Sequence, residues 1–401
     1  MFERIMDDFP VLNQNNLIYL DTAASSLTPQ SVIDKMNEYY HNYPVNVHRG
    51  VYALSHHATQ MYEHARKVVA DYIHADFHEI VYTRGATSAL NLVAMSYGMH
   101  HLNPGDEIIV SELEHHSHLL PWQQVAKIKG CQLIYVPLDD AGRITLENFL
   151  SVLTDKTKVV ALTYVSNVMG YITPLKPIIE AAHQKGAVVS IDAAQAAPHL
   201  RIDVKDLDTD FLAFSGHKMF GPTGIGILYG KKHLLDQMPP IEFGGDMNDN
   251  VEKFESIWKD TPYKFEAGTP PIAEAIGLAE AIAYLQKLNV ENIAKHENEL
   301  AQYTIKKLKN IDGVTVYNPT TETGIIAFNI NGVHPHDAVT AFDENNIALR
   351  AGHHCAQLMI KWLKVPATLR ASFYVYNTKA SCDIFIENVI KAKDFFASVG
   401  F

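Results

Sequence analysis

This sequence of 401 residues contains three cysteines, so cysteine is its scarcest strong nucleophile. One of these thiols, Cys355, lies in the stretch LRAGHHCAQL, behind Arg350, His353 and His354. Such a thiol could be a metal ligand, a nucleophile in its thiolate form or an ordinary buried side chain. Adjacent side chains rarely converge on one ion, and structural zinc needs four ligands in spaced pairs, so we expect no metal site. The rest of the sequence has to decide between the other two roles.

A lysine follows an apolar run in the stretch FLAFSGHKMFGPTGIGILYG, residues 211–230. The run ends at Ser215, and His217 and Lys218 come shortly after it. A lysine among apolar neighbours has a lowered pKa and can form a Schiff base with a carbonyl cofactor. Ser215 and His217 could donate hydrogen bonds to an anionic group. In isolation SGHK would more simply be a surface loop, so this interpretation depends on its surroundings.

Two further strand ends carry groups that suit the same cofactor. Asp192 ends the run AVVSID, and a carboxylate at this place can keep a pyridine nitrogen protonated. The stretch EIVYTRGATSALNLV passes from strand to helix near Thr87, where backbone N–H groups and a hydroxyl can bind a phosphate. Thr87 alone could equally be a helix N-cap. Together with Lys218, these residues describe a pyridoxal phosphate site.

Short β-branched runs alternate with longer helical stretches from about residue 78 to residue 230. Strands that are apolar throughout and alternate with helices indicate a mostly parallel sheet that is covered on both faces. Ligands of such sheets bind at the carboxyl ends of the strands, and Lys218, Asp192 and Thr87 follow strand ends. The predicted strands cover residues 79–83, 106–111, 132–138, 158–166, 187–192, 211–215 and 224–230.

The pattern changes after about residue 285. A long helical stretch precedes two probable strands, which are followed by a second helical stretch, a loop over Arg350–Cys355, another strand and a terminal helix. This order is typical of an α+β unit. The two probable strands cover residues 314–317 and 324–330, and the strand after the loop is LRASFYVY.

We therefore predict an α/β fold with two domains. The large domain, with a mostly parallel seven-stranded sheet, is expected over residues 18–285. Residues 1–17 and 286–401 are expected to form a smaller α+β domain that carries the cysteine loop. The Pro- and Gly-rich residues around 239–250 are predicted to form a loop.

Composition and charge exclude several classes of protein. With 33 Lys and Arg against 45 Asp and Glu, the net charge of −12 disfavours nucleic acid as a partner. No stretch is apolar for the length of a membrane span, and the acidic start MFERIMDDFPVLN is unlike a signal peptide. The three widely spaced cysteines suit no disulfide framework and fit a reducing cytoplasm.

These motifs belong to a longer series that resembles one known family. The sequence is similar to the cysteine desulfurases, fold type I pyridoxal phosphate enzymes of the class V aminotransferase family, and most of all to their group II, or Suf-type, members. The resemblance covers nearly the whole chain. The matching stretches are, in order, YLDTAASSLTP, VHRGVYALS, EHHSHLLPWQ, YVSNVMG, IDAAQAAPH, SGHKMFGPTGIGILYG, FEAGTP, RAGHHCAQ and RASFYVYNT.

The resemblance implies roles for the residues around the cofactor ring. Lys218 would form the Schiff base and move the Cα proton of the substrate. Asp192 would pair with the pyridine nitrogen, and Gln195 would reach the ring hydroxyl. His115 resembles the histidine that stacks on the ring and takes part in proton transfer. The neighbouring His116 and His118 complicate that choice.

Other roles concern the phosphate, the substrate and the cavity entrance. Arg370, with its planar fork, suits a carboxylate, and it resembles one half of the pair that binds the substrate. Thr269 resembles a threonine that reaches the phosphate of the partner subunit's cofactor, which implies a homodimer. The remaining implied residues are Thr87, Ser215 and His217 for the phosphate, Asn167 for the substrate, and Arg350, His48 and Arg49 at the entrance.

The implied reaction converts L-cysteine to L-alanine and leaves a persulfide on Cys355. A SufE- or SufU-type sulfur-acceptor protein would then take the sulfur for iron–sulfur cluster assembly. The short spacing between Arg350 and Cys355 resembles the compact cysteine loop of the Suf-type group. A compact loop predicts slow turnover alone and acceleration by the acceptor.

Three other activities stay open: a selenocysteine lyase or related β-lyase, an ordinary aminotransferase, and a weakly catalytic scaffold or sulfur relay. Cys355 argues against the aminotransferase, and the intact Lys218 and Asp192 argue against the scaffold. The chain also departs from the family pattern twice. Relatives commonly have a proline shortly after the cysteine, where CAQLMIKWL follows here, and an asparagine where this chain has Pro271.

Overall fold

The computed structural model describes residue 2 and residues 4–398 of the chain. Within this part, one sheet has seven strands, six of which point in the same direction, while Gly226–Gly230 runs opposite to its two neighbours. The predicted α/β fold with a mostly parallel seven-stranded sheet is confirmed. In spatial order the strands are Ile80–Thr83, Gly226–Gly230, Phe211–Ser215, Val188–Asp192, Thr157–Thr163, Glu107–Ser111 and Gln132–Val136.

Helices cover both faces of this central sheet because its strands are apolar on both sides. Side chains alternate along a strand, so Ile109 enters one hydrophobic cluster while Ile108 and Val110 enter the other. None of the helices in the described part of the chain is both long and apolar enough to cross a membrane. The helices up to residue 288 are Pro10–Gln14, Gln30–Asn42, Ala53–Tyr72, Ala86–Leu92, Met99–His101, His116–Lys129, Leu146–Leu150, Leu175–Gln184, Val204–Leu207, Lys232–Gln237 and Ile272–Leu288.

A second, antiparallel sheet is formed by the C-terminal part of the chain. Its strands, in spatial order, are Val314–Val316, Ile325–Ile330, Thr368–Ser372 and Arg350–Gly352. The sequence predicted a loop at Arg350–Gly352, but these residues pair with Thr368–Ser372, a partner distant in sequence that the local pattern could not reveal. Helices Val290–Leu308, Pro335–Asp343, Gln357–Trp362 and Lys379–Ser398 accompany this sheet.

The N-terminal segment also joins the second sheet region, since Ile18–Tyr19 pairs in parallel with Ile347–Ala348. The division into domains 18–285 and 1–17 plus 286–401 stays a prediction. Its ends at residues 1 and 399–401 lie outside the described residues.

Residues 239–247 have the irregular structure that the sequence predicted, and a small hairpin begins at the end of this loop. Strands Asn248–Val251 and Ser256–Trp258 pair antiparallel, and Phe254 at the turn between them is 93% exposed. The first strand has the sequence NDNV, which carries no strand signal, so only its pairing defines it.

A buried ion pair joins three elements on one side of the central sheet. The guanidinium of Arg66 is inaccessible to solvent and donates to both carboxylate oxygens of Glu266 at 2.6 and 2.8 Å. It also donates to the carbonyl of Ile80, and Glu266 accepts from the backbone N–H of Tyr82. This pair therefore fixes the segment before Thr269 against strand Ile80–Thr83.

Removal of one partner from this ion pair is expected to destabilise the protein strongly. Arg66→Ala leaves Glu266 buried without its counter-charge, which should lower the free energy of unfolding by about 3–5 kcal/mol. Urea denaturation followed by circular dichroism measures the change. The matched control is Arg84→Ala, which breaks an exposed pair with Glu242 and should cost less than about 1 kcal/mol. Equal effects of the two variants would contradict the prediction.

Candidate active site

A cavity of about 210 Å³ opens at the carboxyl ends of the central strands. It is bounded by the ends of three strands, the start of two helices and the edge of the second sheet. Every residue predicted to act in catalysis or to bind the cofactor or the substrate lines it, except Thr269. These residues are Thr87, His115, Asn167, Asp192, Gln195, Ser215, His217, Lys218, Arg350, Cys355 and Arg370.

Lys218 reaches the cavity from a tight turn after strand Phe211–Ser215. The turn Gly216–Lys218 is a 3₁₀ turn, and a side chain at Gly216 would come within 2.9 Å of Ile225 and 3.1 Å of a backbone oxygen. Only glycine therefore allows the chain to turn so closely. Burial lowers the pKa of Lys218 to about 8, although the carboxylate of Asp192 opposes this shift. The amine is thus readily deprotonated near neutral pH.

Asp192 and Gln195 follow the adjacent strand Val188–Asp192. One carboxylate oxygen of Asp192 accepts from the N–H of Ala194 at 2.9 Å, and the side chain is 5% exposed. The amide nitrogen of Gln195 donates to the carbonyl of Ala23, while its oxygen is buried without a partner in the described part of the chain. An orphaned acceptor of this kind is ready for a ligand hydroxyl or N–H.

Hydroxyl groups and backbone amides gather at one end of the cavity. Ser215 accepts from the N–H of Ala86, the first residue of helix Ala86–Leu92, at 2.8 Å. Thr87 contacts Ser117 through their hydroxyls at 2.7 Å. Ser117 could not be predicted for this site, because a serine after two histidines carries no distinguishing signal in the sequence. Several neutral donors at the starts of two helices suit an anionic group.

The structure separates the three histidines of EHHSHLLPWQ. His115 lines the cavity and caps helix His116–Lys129, its Nδ1 accepting from the N–H of Ser117. His116 faces the cysteine segment, and its Nε2 accepts from the N–H of Gln357. His118 is buried against Glu114 at 2.9 Å. Burial and then the charge of Lys218 lower the pKa of His115 to about 4, so its ring is neutral at pH 7.

Two arginines at the opposite end of the cavity share one carboxylate. Asp21 accepts from Arg370 at 3.0 Å and lies 3.3 Å from Nε of Arg350. Arg370 is buried, also donates to the carbonyl of Asn167, and has an Nε without a partner in the described residues. Asp21 belongs to the stretch YLDTAASSLTP, but its type alone did not distinguish it from other acids. The pair of cations retains one uncompensated positive charge.

Cys355 is exposed beside these groups, on a turn with unusual backbone geometry. Both His354 and Cys355 have positive φ, at 54° and 55°. The amide of Asn167, predicted to bind substrate, donates to the carbonyl of His354 at 2.7 Å. His354 is buried and contacts Thr368, and burial followed by Arg370 lowers its pKa to about 2. His353 instead contacts the carbonyl of Pro366.

Thr269 and the two residues predicted at the entrance, His48 and Arg49, lie outside the cavity. Thr269 is exposed and lines a second cavity of about 290 Å³. His48 pairs with Glu63, and Arg49 pairs with Asp246 of the segment before the hairpin. A single chain thus does not bring them to Lys218, and the role of Thr269 stays a prediction about a partner subunit.

The sequence of this chain is similar to a known family and to known proteins over nearly its whole length. A family model described as Aminotransferase class-V matches residues 18–385. A probable cysteine desulfurase from Halalkalibacterium halodurans is 52% identical over 396 residues, which cover 98% of this chain and 98% of that protein. A probable cysteine desulfurase from Staphylococcus epidermidis is 50% identical over 400 residues, with 98% and 97% covered.

Solved structures agree with the sequence comparison. The cysteine desulfurase CsdA from Escherichia coli, in an S-sulfonic acid form, superposes with a TM-score of 0.93 at 39% identity, covering 98% of this chain and 99% of that chain. A C-DES mutant with glycine covalently linked to its PLP cofactor has a TM-score of 0.82 at 21% identity, covering 97% and 98%. The second likeness shows the fold alone.

The lowered pKa of Lys218 predicts unusual reactivity of its amine. Only a neutral amine attacks a carbonyl, so reductive methylation with formaldehyde should become half-maximal near pH 8 at Lys218. The measurement is peptide mass spectrometry after bound carbonyl compounds have been removed with hydroxylamine and dialysis. Lys176 is the control, because its pKa is raised by Asp206 and it should require a higher pH. Identical profiles for the two lysines would refute the assigned environment.

Proposed function

Because this chain belongs to the aminotransferase class-V family, and within it to the cysteine desulfurases, we propose that it converts L-cysteine to L-alanine and carries the released sulfur as a persulfide on Cys355. One observation supports this function above all. The same cavity is lined by a buried lysine, a nearby carboxylate, two arginines and an exposed thiol.

Pyridoxal phosphate is the cofactor that these residues fit. Lys218 would hold its aldehyde carbon, Asp192 its ring nitrogen and Gln195 its ring hydroxyl, for which the orphaned side-chain oxygen is available. The hydroxyls of Thr87 and Ser215 would hold the phosphate, together with Ser117 and His217. When bound, the cofactor supplies a ring that withdraws electrons from the Cα of the amino acid.

Proton transfer falls to Lys218 and His115. A lysine with a pKa of about 8 can accept the Cα proton of the substrate and return it without a large energetic penalty. His115, which is neutral at pH 7, can stack on the ring and exchange a proton with the substrate. Neutral His115 also avoids repulsion with a protonated Lys218.

The substrate carboxylate would bind at the cationic end of the cavity. The Nε of Arg370 is buried and without a partner in the described residues, so a carboxylate there would satisfy it. Asn167 contributes from the same side, but one of its N–H groups is already used by the carbonyl of His354. Arg370 is therefore the main anchor, with Arg350 at the entrance.

Sulfur leaves the substrate by attack of the Cys355 thiolate on the substrate sulfur. The Cβ–S bond breaks as the new S–S bond forms, and Cβ takes up a proton to give the methyl group of alanine. Because Cys355 is exposed, a second protein can approach the persulfide. An acceptor of the SufE or SufU type in the cytoplasm fits this arrangement, with iron–sulfur cluster assembly as the destination.

The deciding experiment separates the roles of the thiol and the lysine. The protein with L-cysteine and a reductant should release alanine and sulfide, whereas Cys355→Ala should lose nearly all sulfide release. Lys218→Ala should lose the visible absorption of the Schiff base and both products. Alanine, sulfide and the mass of the peptide that contains Cys355 are the measurements.

Cys131→Ala is the matched control, because this partly exposed thiol lies outside the cavity. It should leave both rates unchanged. Release of sulfide by Cys355→Ala at the rate of the unmodified protein would contradict the persulfide role. L-Selenocysteine as a parallel substrate tests the alternative lyase activity, for which turnover should survive in Cys355→Ala.

The predicted homodimer, in which Thr269 reaches the phosphate of the partner subunit's cofactor, can be tested with variants of Thr269. Thr269→Ala should weaken cofactor binding roughly tenfold through loss of a charge-assisted hydrogen bond. Heterodimers of Thr269→Ala and Lys218→Ala chains, obtained by co-expression with two tags, should regain tight cofactor binding at one site. That site combines an intact Lys218 with the threonine of the other chain. If Thr269 serves its own chain's cofactor, that site keeps the weakened cofactor binding of Thr269→Ala.

A further inference from the structure

His116 makes two hydrogen bonds to the segment that carries the thiol. Its backbone N–H donates to the carbonyl of Cys355 at 2.7 Å. Its Nε2 accepts from the N–H of Gln357 at 3.2 Å. One residue of the helix His116–Lys129 thus binds the chain on both sides of Ala356. We refer to these two bonds as the His116 clamp.

The turn at Cys355 needs support from outside. Two consecutive non-glycine residues, His354 and Cys355, adopt left-handed backbone conformations, which such residues avoid in the absence of compensating contacts. The Cys355 side chain is exposed and cannot anchor the turn by packing. Apart from the His116 clamp, the amide of Asn167 holds the carbonyl of His354, and the ring of His354 contacts Thr368. The geometry of the thiol therefore depends on a few hydrogen bonds to other segments of the same chain.

The acceptor half of the clamp requires a neutral imidazole. Nε2 can accept only if the proton is on Nδ1, and a protonated ring would offer the N–H of Gln357 no lone pair. Burial, followed by the nearby His353, lowers the pKa of His116, which favours the neutral form. The side chain is thus suited to the bond that it makes.

The position of this residue in the sequence links the thiol to the cofactor side of the cavity. His115, the preceding residue, lines the cavity close enough to Lys218 for the charge of the amine to affect its ring. Because His115 and His116 are adjacent in the chain, a shift of their shared backbone would displace both rings. The dipeptide His115–His116 therefore contacts both the cofactor side of the cavity and the segment that carries the thiol.

We propose that His116 is a positioning residue for the sulfur-accepting thiol, holding Cys355 in register with the substrate through the His116 clamp. This role rests on the proposed function of Cys355. His116 is not among the residues that line the cavity, so its variants should impair sulfur transfer more than substrate binding.

The first measurement tests the clamp without reference to activity. Hydrogen exchange of the peptide over residues 353–360 should accelerate about fivefold at the Gln357 amide in His116→Ala. His116→Gln, whose side-chain oxygen can accept the same bond, should restore most of the protection. His41→Ala is the matched control, since His41 contacts only a carbonyl of its own helix. Unchanged exchange in His116→Ala would overturn the proposal.

The second measurement follows the reaction in the holoenzyme. In single-turnover experiments with L-cysteine, His116→Ala should form the Cys355 persulfide about tenfold more slowly, with a KM within about twofold of the original value. His116→Gln should recover most of the rate. A higher KM with an unchanged rate of persulfide formation would overturn the positioning role, as would an equal loss in both variants.

The outcomes separate the two proposals. If the unmodified protein forms no persulfide on Cys355, the proposed function fails, while hydrogen exchange still reports on the clamp. If the unmodified protein forms it and His116→Ala does so equally fast, the proposed function stands and the positioning role fails. Thermal unfolding of all variants shows whether His116→Ala is folded, and His116→Leu, which fills the same space without an acceptor, carries the test if it is not.

Discussion

The balance of charge around Lys218 is the constraint on which the rest of the cavity depends. Burial lowers the pKa of this amine to about 8, and attraction to Asp192, followed by that to Cys355, opposes the shift. Burial also lowers the pKa of His115 and of His217 to about 4, so neither ring carries a charge at pH 7. A lysine that must release its proton easily thus has two uncharged histidines nearby. Charged histidines would push its pKa lower still and compete for Asp192.

The part of the cavity around Arg370 instead keeps a surplus of positive charge. Arg370 and Arg350 share the single carboxylate of Asp21, so a positive charge is left for the carboxylate of an amino acid. Asp21 reaches this place because the segment around it bridges the two sheets. The backbone of Leu20 bonds to Ala348 and Ser372, whereas a few residues later Ser26 bonds to the carbonyl of His217 beside the reactive lysine.

Local signals explain what the sequence could predict. Apolar β-branched runs marked the seven central strands, and parallel strands bring their carboxyl ends to one edge, so Lys218, Asp192 and Thr87 had to meet. Long-range pairing explains what was missed. Strand Arg350–Gly352 is defined by its partner Thr368–Ser372, and the polar hairpin is likewise defined only by its own pairing. The choice among three adjacent histidines required the direction of each side chain, which the motif does not contain.

The two departures from the family pattern are compatible with the observed backbone. Helix Gln357–Trp362 begins two residues after Cys355, and a proline in its first turn would remove only an N–H that has no partner within the helix. Compared with a proline in that turn, Leu358 therefore makes the backbone less stiff but leaves the hydrogen bonds within the helix unchanged. Pro271 precedes helix Ile272–Leu288 with φ at −75°, a value that the pyrrolidine ring favours. In place of an asparagine, the chain gains a restricted backbone directly after the segment that contains Thr269.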